Sequence, residues 1–186
     1  MKGLDMSENK ERLVNQILEI EVRMFLRVPT GDEPSCRAHM EDMKLHRCGQ
    51  FATWSEETCA SYLEDLRRAD AAGDNLMTIK YARMDDLIPP RSSNPRINDI
   101  SARFVEWQQA FINEYPNIMR AGRDMDDFTN YLRSELETYS DATLELLWAD
   151  VEACRESGVN MSVEVYRYLA RQSGYESLEA MERRLG

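Results

Sequence analysis

The chain has little of what usually betrays a reaction. Over 186 residues it contains two histidines and four cysteines, and it lacks a phosphate-cradling glycine loop. It also lacks a Gly-x-Ser-x-Gly elbow, a His-Glu-x-x-His pair and a dinucleotide fingerprint. No apolar run approaches the roughly 18 residues that a membrane span needs. No Val/Ile/Thr/Tyr-rich alternating stretch reads as a strand, so a sheet is not expected. Lysine is scarce too: four (Lys2, Lys10, Lys44, Lys80) against 19 arginines, a skew that a GC-rich genome produces without functional demand. The net charge of −11 argues against general nucleic-acid or anionic-membrane binding, both of which reward clustered cations.

What is present is enough apolar character, 42%, to bury a sizeable core in one compact domain or two lobes that share one. The cysteines (Cys36, Cys48, Cys59, Cys154) show no paired spacing. A chain of this length needs no staples, so they read as reduced thiols of a cytoplasmic protein. The polar N-terminal segment lacks the apolar stretch of a secretory signal, in keeping with that location.

The pattern along the chain is helical. Leu13, Ile17, Leu18, Glu21, Met24, Phe25 and Val28 recur at steps of three and four behind a capping Ser7, and Pro29-Thr30-Gly31 ends the run. A second helix is expected from about Ser35 to Thr53. A third starts after Ser55 and stops at Gly73, a left-handed terminator; a fourth runs from Asn75 to about Asp86. Pro89 to Pro95 reads as a linker. Further helices follow: one through Ile97, Ile100, Phe104, Phe111 and Ile112; one through Met125, Phe128, Leu132 and Leu136; one from Ser140 to Gly158; one after Asn160; and a short one behind Ser177.

The second half repeats the grammar of the first. A shift of 85 positions (54 to 139) lays Trp54 on Tyr139, Ser55 on Ser140, Thr58 on Thr143 and Asp65 on Asp150. The same shift lays Gly73 on Gly158, Asn75 on Asn160 and Tyr81 on Tyr166, while Phe25 and Phe111 match at 86. Shared caps alone would not also fix the Trp/Tyr, Thr, Asp and Tyr positions. The expected fold is therefore all-α, with two tandem pseudo-symmetric repeats (1–88 and 97–186, joined by 89–96) packed as one compact domain. A cleft on their shared axis is the natural place for a ligand.

The second helix of each copy is the most unusual. Its inward stripe reads Cys36, His39, Met43, His46 and Gln50, matched by Ala121, Asp124, Phe128, Tyr131 and Glu135. Polar residues at core spacing need partners, so either these helices face each other across a hydrated pocket or the register is off by one and the histidines lie at a solvated edge. Cys36 and His39, one turn apart, could share an ion. His46 lies about 10 Å further along at 1.5 Å per residue, too far for zinc bonds of about 2 Å. No metal or cofactor is expected. Cys36, near a helix start, reads either as a lowered-pKa nucleophile or as a small buried residue. His46 and Glu135 are the proton-transfer candidates. Lys80, Tyr81 and Arg83 behind the Asn75 cap, with Arg120 and Arg123 before the sixth helix, are the anion-holding candidates, joined by Gln50 and Tyr131 on the stripe. Solvated surface cations are the plainer reading of the arginines. The aromatic residues Trp54, Trp107, Tyr62, Tyr139 and Tyr166 sit at core spacing and read as packing.

The segments Ser55-Glu56-Glu57-Thr58-Cys59-Ala60-Ser61-Tyr62-Leu63-Glu64-Asp65-Leu66, Gly73-Asp74-Asn75-Leu76-Met77 and Lys80-Tyr81-Ala82-Arg83-Met84 resemble domain-of-unknown-function family four-one-two-five, found in bacteria and archaea. The likeness extends through Glu19 to Phe25, Cys36, Gln50-Phe51-x-x-Trp54 and Tyr131-Leu132-x-x-Glu135-Leu136-x-x-Tyr139-Ser140, nearly the whole chain. The resemblance implies a small cytosolic protein, some of whose relatives are fused to a nucleotidyltransferase-like domain, and it assigns no catalytic residue. Together these readings favour a module that binds a small anionic ligand or a protein partner (such as a nucleotidyltransferase-like enzyme), with an enzyme acting on a small anionic metabolite as the alternative.

Overall fold

The computed structural model describes residues 6–29, 40–120 and 122–186. Among them it has nine helices and no strand: α1 (Glu8–Leu26), α2 (Met40–Ala52), α3 (Glu56–Ala72), α4 (Leu76–Met84), α5 (Arg96–Glu114), α6 (Met125–Leu136), α7 (Asp141–Glu156), α8 (Met161–Gln172) and α9 (Leu178–Leu185). None is long and apolar enough to cross a membrane.

The boundaries follow from local chemistry. The side chains of Ser7, Ser55, Ser140 and Ser177 each accept from the backbone N–H three residues on, satisfying a donor that the helix itself leaves open. Asn75 does the same for Met77 and Thr78, and Asn160 for Val163. Gly73 ends α3 at φ +80°, where any side chain would be strained. α4 stops at Met84, two residues before the Asp86 expected from sequence, because Asp86 itself turns to φ 52°.

α3 and α7 pack on each other at the centre of the molecule. α1 lies against α3 and α4, and α5 lies against α7 and α8. α2 packs on α8, and α6 on α4. One apolar core runs through both halves: Ile17, Met24, Tyr62 and Leu66 join Ile100, Leu144, Leu147 and Val151, all essentially inaccessible. A smaller cluster of Phe111, Tyr115, Ala170 and Leu178 holds α9 against α5 and α8. The crossing of α2 over α8 is close because Gly49 carries no side chain. A Cβ there would come within 3.2 Å of the Tyr168 ring and 3.3 Å of the Val165 carbonyl oxygen.

The starts of the two central helices are tied to each other's bodies. The Ser55 N–H and the Thr58 hydroxyl donate to Asp150 Oδ2 at 2.8 and 2.6 Å. The Ser140 N–H and the Thr143 hydroxyl donate to Asp65 Oδ2 at 2.9 and 2.6 Å. Each carboxylate thus neutralises the positive end of the opposite helix while satisfying its open donors. Ser61 and Thr143 hydroxyls meet at 2.7 Å between them.

Candidate functional site

Beside the central pair, four ionisable side chains from four helices meet in the interior. Arg47 (α2) donates from Nε to Glu21 Oε2 (α1) at 3.0 Å and from Nη2 to Glu21 Oε1. Its Nη1 donates to Glu135 Oε1 (α6) and Gln50 Oε1, each at 2.7 Å. Lys80 Nζ (α4) donates to Glu135 Oε2 at 2.5 Å and lies 3.5 Å from the Tyr131 ring centroid, a cation–π contact. The hydroxyls of Tyr62 and Tyr139 complete the set, donating to Glu21 and Glu135 at 2.7 Å each. All four charged residues are at most 6% exposed. Two cations against two carboxylates leave the cluster formally neutral.

Burial opposes charge on Arg47, Lys80 and Glu135, and pairing overrides it. Against burial, Arg47 and Lys80 hold the Glu135 carboxyl well below the ordinary carboxylate range. Glu135 and Glu21 hold Arg47 above its usual value, and Glu135 does so for Lys80. Burial pushes the phenols of Tyr62 and Tyr139 well above 10. Arg47, Lys80 and Glu135 are therefore held charged, and Tyr62 and Tyr139 protonated, at neutral pH.

Next to it lies a cavity of about 550 Å³, within the range of small-molecule sites. α2 contributes His46 and Gln50, with Trp54 just beyond its end; α5 contributes Ile100, Phe104 and Gln108; α6 contributes Phe128, Tyr131, Leu132 and Glu135; α8 contributes Ser162, Val165 and Tyr166. Exposed Arg123, Asp124 and Asp127 mark its rim, and Arg123 stacks over Phe128 at 4.7 Å. His46 is an exposed residue of the cavity lining, edge-on to Tyr166 at 6.3 Å. The protein packed around its base and the nearby Arg47 and Arg123 lower its pKa to about 4, so the ring is uncharged at neutral pH. Among the described residues, four buried side-chain atoms have no hydrogen-bond partner, Trp54 Nε1, Ser101 Oγ, Arg103 Nε and Gln108 Nε2, and none of them has appreciable accessible surface.

A family model described as protein of unknown function (DUF4125) matches residues 11–183. The chain belongs to that family. No curated protein and no solved structure matches it. In this DUF4125 protein the second-helix stripes read from sequence meet at one place: His46 and Gln50 face Asp124, Phe128, Tyr131 and Glu135 around the cavity. The buried face of α2 is centred on Arg47, Gly49 and Phe51, beside the expected stripe rather than on it. Arg123 reaches the rim. Lys80 stands behind Tyr131 in the ionic wall. Tyr81 lies on α4 away from the cavity lining. Arg83 grips Glu137 through Nε at 2.7 Å and the Ile88 carbonyl through Nη1 at 3.0 Å, and Arg120 meets the Leu185 carbonyl near the chain's last residues. Cys36, His39 and Ala121 lie outside the described residues. Among the described residues no group of three His, Cys, Asp or Glu is placed to hold a metal.

Sequence reasoning missed Arg47, Tyr62 and Gln108 as site residues. Two signals pointed to this region: Glu21 sits on the otherwise apolar stripe of α1, and Gln108 and Ser101 occupy core positions of the α5 stripe, both buried. Arg47 carried no such mark, because an arginine beside a stripe is ordinarily a solvated neighbour.

Proposed function

We propose that this DUF4125 protein is a tandem duplication, residues 1–88 and 97–186 about the 89–96 linker, that holds one small molecule in the cavity along its seam. Reciprocity supports the duplication. Ser55, Thr58 and Asp65 relate to Ser140, Thr143 and Asp150 by the same shift of 85 (55 to 140), and each set bonds to the other. Helix packing follows suit: α1 on α3 and α4 answers α5 on α7 and α8, and α2 on α8 answers α6 on α4. The Asn75 and Asn160 amides donate to the carbonyls of Met24 and Trp107, which pairs the first helices at a shift of 83 (24 to 107). That is one helical turn away from the Phe25–Phe111 match, and it sets Val14 with Ile97 and Ile17 with Ile100, all buried.

Under this correspondence the ionic wall and the cavity are counterparts. Glu21, Arg47, Tyr62, Lys80 and Tyr139 correspond to Phe104, Leu132, Leu147, Val165 and Trp54, and every one of the latter lines the cavity. One side of the seam is filled by charges that satisfy each other. The other carries apolar residues around open space, and that asymmetry is the observation behind the ligand reading. Proton transfer by Glu135 draws no support here, since the carboxylate already accepts from Arg47, Lys80 and Tyr139. Two of the four cations expected to grip an anion are paired as well, Lys80 with Glu135 and Arg83 with Glu137.

Native mass spectrometry of protein purified gently from its own host tests the reading. A bound small molecule is expected in the wild type and absent from Val165→Phe, a variant that fills the cavity. A ligand-free wild type that also gives no thermal shift with a broad panel of small aromatic and aliphatic compounds would refute it.

A further inference from the structure

We infer that the occupant of the cavity is an aromatic acid, its ring system packed inside and its carboxylate held at the mouth by the Arg123 guanidinium. The inference rests on the ligand-binding reading and narrows it to a chemical class.

The lining is sorted by polarity. Its four exposed residues, His46, Arg123, Asp124 and Asp127, are all polar or charged, whereas every apolar residue of the lining is buried or half-buried. On the inner wall, the side chains of Gln50, Glu135 and Tyr139 are engaged with Arg47 or with each other. A molecule that follows this sorting has an apolar body and one polar end, and that end stays at the opening, where it keeps part of its water. A charge carried further in would lose its hydration beside an ionic wall that is already balanced. Rings dominate the walls that the body meets, among them Phe104, Phe128, Tyr131 and Tyr166. A rigid ring system packs on such faces and edges without the conformational entropy that a flexible chain loses on burial.

The mouth sets the sign of the polar end. Arg123 is the only Lys or Arg of the lining among the described residues, and its guanidinium makes no ion pair or hydrogen bond with any of them. It lies instead over Phe128, a ring of the cavity wall, at 4.7 Å. Its forked N–H groups match the two oxygens of a carboxylate. Neither carboxylate of the rim competes for it. Asp124 is turned to its own helix, accepting from the N–H groups of Asp126 and Asp127 at 2.8 and 3.1 Å. Asp127 stands in the first turn of α6, where the positive end of the helix offsets its charge. An ammonium end would meet the guanidinium as a like charge on the same ring wall.

Three probes share one ring body and differ only at the end: 2-naphthoate, 2-naphthylmethanol and 2-naphthylmethylammonium. Decanoate represents the acyl alternative. Binding is read by titration in ¹H–¹⁵N correlation spectra of the full chain, whose dispersion also checks that each variant is folded. 2-Naphthoate is expected to bind about tenfold more tightly than the alcohol, the ratio for a charge-assisted hydrogen bond that stays partly in water. It should also bind more tightly than the ammonium. Arg123→Gln should bring acid and alcohol to similar affinity while the alcohol binds as before, and Arg123→Glu should reverse the order in favour of the ammonium. Equal affinity of acid and alcohol, the ammonium or decanoate as the tightest binder, or an acid preference that survives Arg123→Gln would overturn the assignment and leave the ligand-binding reading standing. If none of the probes perturbs cavity resonances, the assignment falls, and the mass-spectrometric test decides the broader reading separately.

Discussion

Replacing Arg47 with Met removes the centre of the ionic wall and leaves its two carboxylates in unequal positions. Glu135 keeps Lys80 at 2.5 Å and the Tyr139 hydroxyl at 2.7 Å. Glu21, only 1% exposed, keeps nothing but the Tyr62 hydroxyl. Stranding a buried charge in this way costs about 3–5 kcal/mol, a large part of the roughly 5–15 kcal/mol that holds a domain folded. At about 2–4 °C per kcal/mol for a chain of this size, Tm should fall by about 6–20 °C. Urea unfolding followed by far-UV circular dichroism measures the loss directly, with an unchanged m-value as the check that the unfolded state is unaltered. The double variant Glu21→Met/Arg47→Met removes the stranded charge together with its cause. The remaining Lys80–Glu135 pair is neutral, so this variant should recover most of the loss, as apolar replacement of a whole buried pair often does. If Arg47→Met lies within 1 kcal/mol of wild type, on the order of a surface substitution, or if the double variant is no more stable than the single one, the wall is not the coupled unit described here.

Asp65→Ala and Asp150→Ala should each cost about 1–3 kcal/mol by orphaning the backbone N–H of Ser140 or Ser55 at the opposite helix start, measured by the same denaturant titration. The two losses should be similar in size. Gly49→Leu should destabilise by about 1–3 kcal/mol through overpacking against Val165 and Tyr168, whereas the same change at an open helical site would be favourable. His46, whose folded pKa is lowered to about 4, binds its proton more weakly in the folded than in the unfolded chain. Stability should therefore fall as pH drops from about 6.5 towards 4, and His46→Gln should remove that part of the slope. The depressed Glu135 carboxyl is a separate contribution, present above its unfolded pKa near 4.5 and lost only as pH falls through its lower folded value. Burial raises the Cys59 thiol to about 12, so native protein should leave Cys59 unmodified by iodoacetamide at pH 8 while urea-unfolded protein reacts.

Helix positions were legible in the sequence because their determinants are local. Ser7, Ser55, Asn75, Ser140, Asn160 and Ser177 each mark a start through one hydrogen bond to a residue two or three positions on, and the apolar period supplies the rest. Polar residues recurring at core spacing marked the region where Gln50 lies near Tyr131 and Glu135, but the register was off by one: the buried face of α2 falls on Arg47 and Phe51, and His46 is exposed. What the sequence did not disclose was partnership. Lys80 and Arg83, a turn apart on one helix, look alike as anion-holding cations, yet one is sealed beside Glu135 and the other is clamped by Glu137. Such a choice depends on contacts across more than 50 positions, which no local pattern encodes. Arg47 was hidden for the same reason. Its three side-chain partners lie on three different turns or helices, and only one of them, Gln50, is a sequence neighbour.

The same long-range pairing separates the ionic wall from the cavity beside it. A buried charge network demands complete satisfaction, and Glu21, Arg47, Lys80 and Glu135 achieve it with each other and two tyrosines. Nothing in that half has an open valence with which to recognise a ligand. The half built from Phe104, Leu132, Val165 and Trp54 is free of that demand and surrounds the cavity. The closed half holds α1, α2, α4 and α6 at fixed spacing, and α2 and α6 are also walls of the cavity. Loosening the closed half should therefore loosen the open one. Arg47→Met, at temperatures where it remains folded, should lower the fraction of protein that carries the small molecule in native mass spectra although Arg47 is not on the cavity wall, and Glu21→Met/Arg47→Met should restore it. Undiminished binding in the single variant would mean that the cavity keeps its shape without the ionic wall, and that the two halves of the seam are neighbours without being coupled.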